Sequence, residues 1–211
     1  MQYLALQTST AVNATLIGAS APIASLLVGA AFFAATVRRV QWLGAALSLL
    51  GVLLVIARGD PMNIARLHLD RGDLIMLVAT LSWSVYTWLL RTRRPAMPAA
   101  PFLTLQIALG GLMILPFALL EYRITGATAA PTSGNLAALL YVALLPSLVA
   151  YFCWDRGVAR AGAVLPMYFV NLTPVLAGLL SFFILGEAIG VYHLVGGLLI
   201  IAGIHLAARR E

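Results

Sequence analysis

Few side chains in this sequence could do chemistry, and most of the candidates are uncharged or aromatic and sit inside apolar runs. Trp83 and Tyr86 are three apart, which places them on one face of a helix. Tyr168 and Asn171 have the same spacing, with Pro174 next. Ser147 and Tyr151 are four apart, Asn13 and Ser20 are seven apart, and Gln106 lies in a long apolar run. Aromatic faces with a few amides can hold an amphipathic organic molecule, but they do not make or break bonds. There is no GxSxG, no HExxH and no pair of acids inside an apolar run, so no catalytic residues and no enzyme are expected. No His or Cys has a second one at metal-ligand spacing, so neither a metal nor another cofactor is expected. An amide in lipid needs a partner. Asn13, Gln106 and Asn171 should therefore face protein or a cavity. Two readings stay open for the set Trp83, Tyr86, Tyr151, Tyr168, Asn171, Asn13 and Gln106. They line a solute cavity, or the amides bond between helices while the aromatics pack or sit at the membrane interface.

The elements that must position these residues follow from the charges. The chain has 211 residues, 62% hydrophobic and only 9% charged, and its mean hydropathy is +0.99. Soluble domains carry roughly 25% charged residues. An integral membrane protein fits this composition, and the lipid bilayer is its first partner. The net charge of +6 and pI near 10.1 would suggest nucleic acid in a soluble chain. Here the basic residues are scattered between apolar runs, and no nucleic-acid partner is expected. Residues 1–37, 40–57, 74–90, 95–120, 124–154, 161–186 and 188–208 carry no charged side chain. Each run is near or above the roughly 20 residues that span a bilayer as a helix. The expected fold is all-α, with seven transmembrane helices at about 10–35, 41–57, 74–91, 101–120, 136–154, 162–185 and 190–208. Nine arginines fall on one side (Arg38, Arg39, Arg91, Arg93, Arg94, Arg156, Arg160, Arg209 and Arg210). Four fall on the other (Arg58, Arg66, Arg71 and Arg123). The positive-inside rule makes the nine-arginine side cytoplasmic, with the C-terminus inside and the N-terminus outside. The longest linker carries Arg-Gly-Asp twice, at 58–60 and 71–73, and reads as a solvated interhelical loop.

All seven acids lie at segment ends or in loops, so no proton coupling through a central carboxylate is expected. Glu187 reads as a helix-dipole cap, and Asp155 as a rim ion pair with Arg156 or Arg160. His193 and His205 read as interfacial. Trp42, Trp88 and Trp154 read as interface anchors.

Residues 160–211 align without a gap on 8–59 at an offset of 152. Pro22 pairs with Pro174, Gly44 with Gly196 and Gly51 with Gly203. The glycine spacing of seven puts both glycines of each copy on one helix face, where helices can approach closely. The prolines should kink long helices. Five crossings separate the copies, so they point in opposite directions, as in inverted-repeat transporters.

The stretches AVNATLIGASAPIASLLVGAAFF, GDLIMLVATLSWSVYTWLLR, LLPSLVAYFCWDRGVARAGA and GAVLPMYFVNLTPVLAGLLSFFILGEAIGVYHLVGGLLIIAG resemble EamA-type transporters of the drug/metabolite transporter superfamily. The resemblance rests most specifically on Trp83, Pro174, Leu185-Gly186-Glu187 and Gly196/Gly203. The first copy has Phe33-Ala34-Ala35 where the second has Leu-Gly-Glu. The resemblance implies a ten-helix bundle of two inverted five-helix units. Residues 1–58 would be the last two helices of the first unit, 59–73 a linker, and 74–211 the complete second unit. The first three helices of the family pattern would be lacking. The resemblance also implies an exporter of small organic metabolites, drug-like or amino-acid-like solutes, working by alternating access in the inner (plasma) membrane. The alternative is a transport-incompetent fragment, or a subunit needing a partner chain or a second copy.

Overall fold

The computed structural model describes residues 1–60, 62–65, 70–126, 132–186 and 188–209. Its elements are helical: α1 (Gln2–Ala5), α2 (Ala11–Ala19), α3 (Ala21–Phe32), α4 (Arg39–Ile56), α5 (Met62–Ala65), α6 (Arg71–Thr92), α7 (Ala99–Thr125), α8 (Ser133–Val142), a π-helical stretch (Ala143–Val149), α9 (Ala150–Ala161), α10 (Leu165–Val170), α11 (Thr173–Leu185) and α12 (Val191–Ala208). Six of the described helical spans are long and apolar enough to cross a membrane, and α2 with α3, bent by 43°, makes a seventh. These spans match the seven segments expected from the charge-free runs.

Pro22 and Pro174 each follow an interruption of the α-helix. The first span breaks at Ser20, between α2 and α3. The sixth breaks at Asn171–Leu172, between α10 and α11. Each proline then sits in the first turn of the new helix. Proline lacks an N–H, and a first turn is where an N–H has no intrahelical partner. A hydroxyl bonds a carbonyl at each break: Ser20 donates to Ile17 O, which also accepts the Ser20 N–H, and Thr173 donates to Val170 O, four residues before Pro174, both hydroxyl bonds at 2.6 Å. Pro146 has a third solution. It cannot donate to the carbonyl of Val142, four residues back, and the Ser147 hydroxyl does so instead at 2.9 Å.

Packing groups the chain into two units, 1–92 with 161–211, and 93–160. In the first, α4 and α12 cross as an antiparallel pair. Gly44 lies on Gly203 and Gly51 on Gly196, so closely that a Cβ on any of them would sit 2.5–2.7 Å from the partner's carbonyl oxygen. The two contacts exchange under the 152-residue offset, which carries Gly44 onto Gly196 and Gly51 onto Gly203. Trp88 of α6 is a wedge here and not only an interface anchor. It is half-buried, stacks on Phe33 at 5.5 Å, donates from Nε1 to Ser25 O at 2.8 Å, and leaves no room for a Cβ on Gly29.

In the second unit, most of α7 and all of α8 point apolar side chains such as Leu112, Met113, Phe117 and Leu139 outward. The buried residues of the whole chain include Asn13, Ser25, Ser48, Asp73, Thr80, Ser84, Thr87, Asp155 and Asn171. Large apolar groups outside and small or polar ones inside is the distribution that a lipid solvent favours.

Candidate functional site

The two helix breaks meet at one cavity. Gly18 and Ala19, at the end of α2, map by the 152 offset onto Val170 and Asn171, at the end of α10. All four line a cavity of about 330 Å³, joined by Val52 of α4 and Met76 of α6. Its wall is mostly apolar, and Asn171 is its most polar deep group. Asn171 is 1% exposed, and its Nδ2 donates to Ser48 Oγ at 2.8 Å. Its Oδ1 is buried and has no hydrogen-bond partner among the described residues. The 152 offset carries Asn171 and Ser48 onto Ala19 and Ile200, which share an apolar cluster with Val52. One of these two pairs is therefore apolar and the other polar.

A second cavity, of about 610 Å³, adjoins the first and shares Ala11, Thr15, Thr173 and Pro174 with it. Arg58, Tyr192 and His193 stand in its wall. His193 Nδ1 accepts the Gly190 N–H at 3.2 Å, which caps the start of α12. His205 is exposed in the last turn of the same helix.

Of the seven residues singled out from the sequence, only Asn171 is among those lining these two cavities. Tyr168 is fully buried and its hydroxyl donates to Gln41 O at 2.6 Å, which ties α10 to α4. Asn13 is buried and donates from Nδ2 to Asp73 Oδ2 at 2.9 Å. Its backbone N–H is capped by Thr10 Oγ1. Trp83 and Tyr86 share a face of α6 and pack ring on ring at 5.2 Å. In the second unit, Gln106 Nε2 reaches Asp155 Oδ2 at 3.4 Å, and Tyr151 is 39% exposed. For the amides the geometry is thus that of interhelical bonding, with Asn171 at a cavity as well.

Asp155 is not an open rim carboxylate. It is buried beside Gln106, while the neighbouring Arg156 lies over the Phe152 ring at 4.3 Å. Glu187 lies outside the described residues. The sequence reading did not single out Arg58, Thr15 or Thr173 as cavity residues. Only the neighbouring proline at 174 offered a signal for Thr173.

Comparison with known proteins agrees with this fold. The model of the EamA-like transporter family matches residues 1–57 and 70–209. An uncharacterised transporter of Archaeoglobus fulgidus is 29% identical over all of this chain and 71% of its own length. A probable terminal-alkyne amino-acid exporter of Streptantibioticus cattleyicolor is 29% identical, over 94% of this chain and 64% of its own length. A probable amino-acid metabolite efflux pump of Salmonella typhimurium is 27% identical, over 86% of this chain and 62% of its own length. This chain therefore spans about two thirds of the length of these three relatives. A solved crystal structure, 23% identical, superposes with a TM-score of 0.74 over all of this chain and 72% of that one. With a family match over almost its whole length and apolar helices able to cross a membrane seven times, the chain is a multi-pass membrane protein that belongs to the EamA-like transporter family.

Proposed function

We propose that this protein exports small amphipathic organic solutes across the inner (plasma) membrane by alternating access, with the cavity between the two helix breaks as the solute site. The observation that carries this reading is the cavity itself, lined by equivalent residues of two proline-broken helices. Broken helices at the interface of repeats are where transporters of inverted-repeat architecture bind their cargo. The exchange of the two glycine contacts under the 152-residue offset supports treating α2–α4 and α10–α12 as inverted copies. In that arrangement the seven spans are the last seven of ten, with 1–58 closing the first five-helix unit and 74–211 forming the second. The exporter names of two relatives favour outward transport of amino-acid-like solutes.

The test is efflux of preloaded phenylalanine from cells making the protein, compared with the Asn171→Leu variant. That change removes the cavity's deep polar group. Its stability cost should be small, about 1 kcal/mol, because only the Ser48 bond is lost. Efflux is expected to fall about tenfold. A folded Asn171→Leu protein with unchanged efflux would remove the cavity from the mechanism.

Orientation is tested separately. Cys153 is exposed and free, so it is first replaced by serine. An Arg209→Cys variant in that background should then be labelled by an impermeant maleimide only from the cytoplasmic face. Labelling from outside alone would reverse the topology.

A further inference from the structure

We propose that Arg58 holds the anionic carboxylate of a solute whose apolar part lies in the inner cavity. This names the substrate class of the transport site and rests on the reading of that cavity as a solute site.

Three observations converge on it. First, Arg58 is the one residue with a permanent charge among those lining the two adjoining cavities. The inner one, at about 330 Å³, has the size of a small-molecule site and a mostly apolar wall. A solute filling both compartments must therefore be apolar at one end and able to meet a guanidinium at the other. Second, the described residues lining the vestibule around Arg58 include no acid. His193 stands in the same wall, its Nδ1 accepting the Gly190 N–H and its Nε2 lying close against Gly178 of α11. Tyr192 lies beside it with ring centroids 4.3 Å apart. Among the described residues, no side chain bonds the Arg58 guanidinium, whose planar fork suits a two-point carboxylate contact.

Third, the backbone at Arg58 is costly and is not explained by the fold. Helix α4 ends with Arg58 N–H on Val55 O and Gly59 N–H on Leu54 O, the paired bonds of a Schellman turn. The residue at this turn's left-handed position is usually glycine, yet here it is Arg58, at φ +53°. A side chain kept where the turn alone would favour none points to a use for that side chain.

The same feature supplies a clean variant. Arg58→Gly suits the left-handed turn and should fold at least as well as the natural chain. Binding is measured to protein in phosphatidylcholine nanodiscs with two probes of the same shape, 3-phenylpropionate and 3-phenylpropanol. The natural protein should bind the acid about ten- to a hundred-fold more tightly than the alcohol. Arg58→Gly should abolish that preference and leave alcohol binding unchanged. Arg58→Lys should keep part of it, since the charge remains without the fork.

Equal binding of acid and alcohol to the natural protein, or a preference that survives in Arg58→Gly, overturns the proposal while leaving the transport reading intact. Failure of both probes to bind or cross removes the solute site and the proposal with it. A final arm adds phosphatidylglycerol to the nanodiscs. If that lipid removes acid binding from the natural protein and has no effect on Arg58→Gly, then Arg58 serves a lipid headgroup and the proposal falls. Undiminished acid binding supports it.

Discussion

Gly203→Ala should destabilise the folded bundle by about 2–3 kcal/mol, the upper part of the usual range for overpacking. The added Cβ would stand 2.5 Å from Gly44 O and 2.9 Å from both N and Cβ of Ser48. Two of those three atoms are backbone of a continuous helix, so no rotamer change can relieve the clash. The two helices must separate along their crossing, and in lipid that crossing is held by close packing because no hydrophobic drive brings apolar helices together. Gly44→Ala should cost a similar amount, since its Cβ would stand 2.6 Å from Gly203 O. The double variant should cost clearly less than the sum, because one separation relieves both clashes. Thermal denaturation in mild detergent measures each change. Gly110→Ala and Gly111→Ala on α7 are the controls. Nothing lies within 4 Å of a Cβ at either position. They should be neutral or slightly stabilising, by up to about 1 kcal/mol from helix propensity. A Gly203→Ala protein as stable as these controls would show that the crossing is not a close contact.

The positions of the spans were readable because so few charges interrupt the chain, and each falls near a span end. The glycine crossing was partly readable too. A spacing of seven puts Gly44 and Gly51 on one face, and the second copy repeats it at Gly196 and Gly203. The partners of polar residues were not readable, because they come from distant parts of the chain. Asn13 meets an acid 60 residues away, and Tyr168 meets a carbonyl 127 residues away. No local pattern encodes such a meeting. Trp88 looked like an interface anchor because it stands near a segment end, but the missing Cβ of Gly29 turns it into a wedge. The burial of Asp155 was not readable either, since it lies beside Arg156 in the sequence. On a helix, adjacent residues point about 100° apart. Arg156 lies over the ring four residues back, and Asp155 is buried. Proline marked the right places: the first span bends by 43° at Ser20, and the sixth remains one span with its α-helix interrupted at Asn171–Leu172.

Asp73→Ala should be the most damaging single polar substitution, costing about 3 kcal/mol. The Asp73 carboxylate is buried at the start of α6 and is the acceptor for three donors. These are the Ser9 hydroxyl, Asn13 Nδ2 at 2.9 Å and the Asp70 backbone N–H at 2.8 Å. Alanine would remove the shared acceptor of all three at once. Beside it, a Cβ on Gly72 would stand 2.3 Å from Ala5 O and 2.6 Å from Ser9 N, so the chain before α2 rests directly on the start of α6. Asn13→Ala alone should cost less, about 1–2 kcal/mol, because the carboxylate keeps two donors. After Asp73→Ala, the further change Asn13→Ala should add little, giving a coupling energy of about 1 kcal/mol in a double-mutant cycle. The effect should also reach the cavity. Ala14 follows Asn13 and Met76 is one turn after Asp73, and both line the inner cavity. Loosening this tie moves two of its walls, so phenylalanine efflux by Asp73→Ala should fall even at temperatures where the variant is fully folded. An Asp73→Ala protein with unaltered melting temperature and efflux would show that this carboxylate neither holds α2 against α6 nor shapes the cavity.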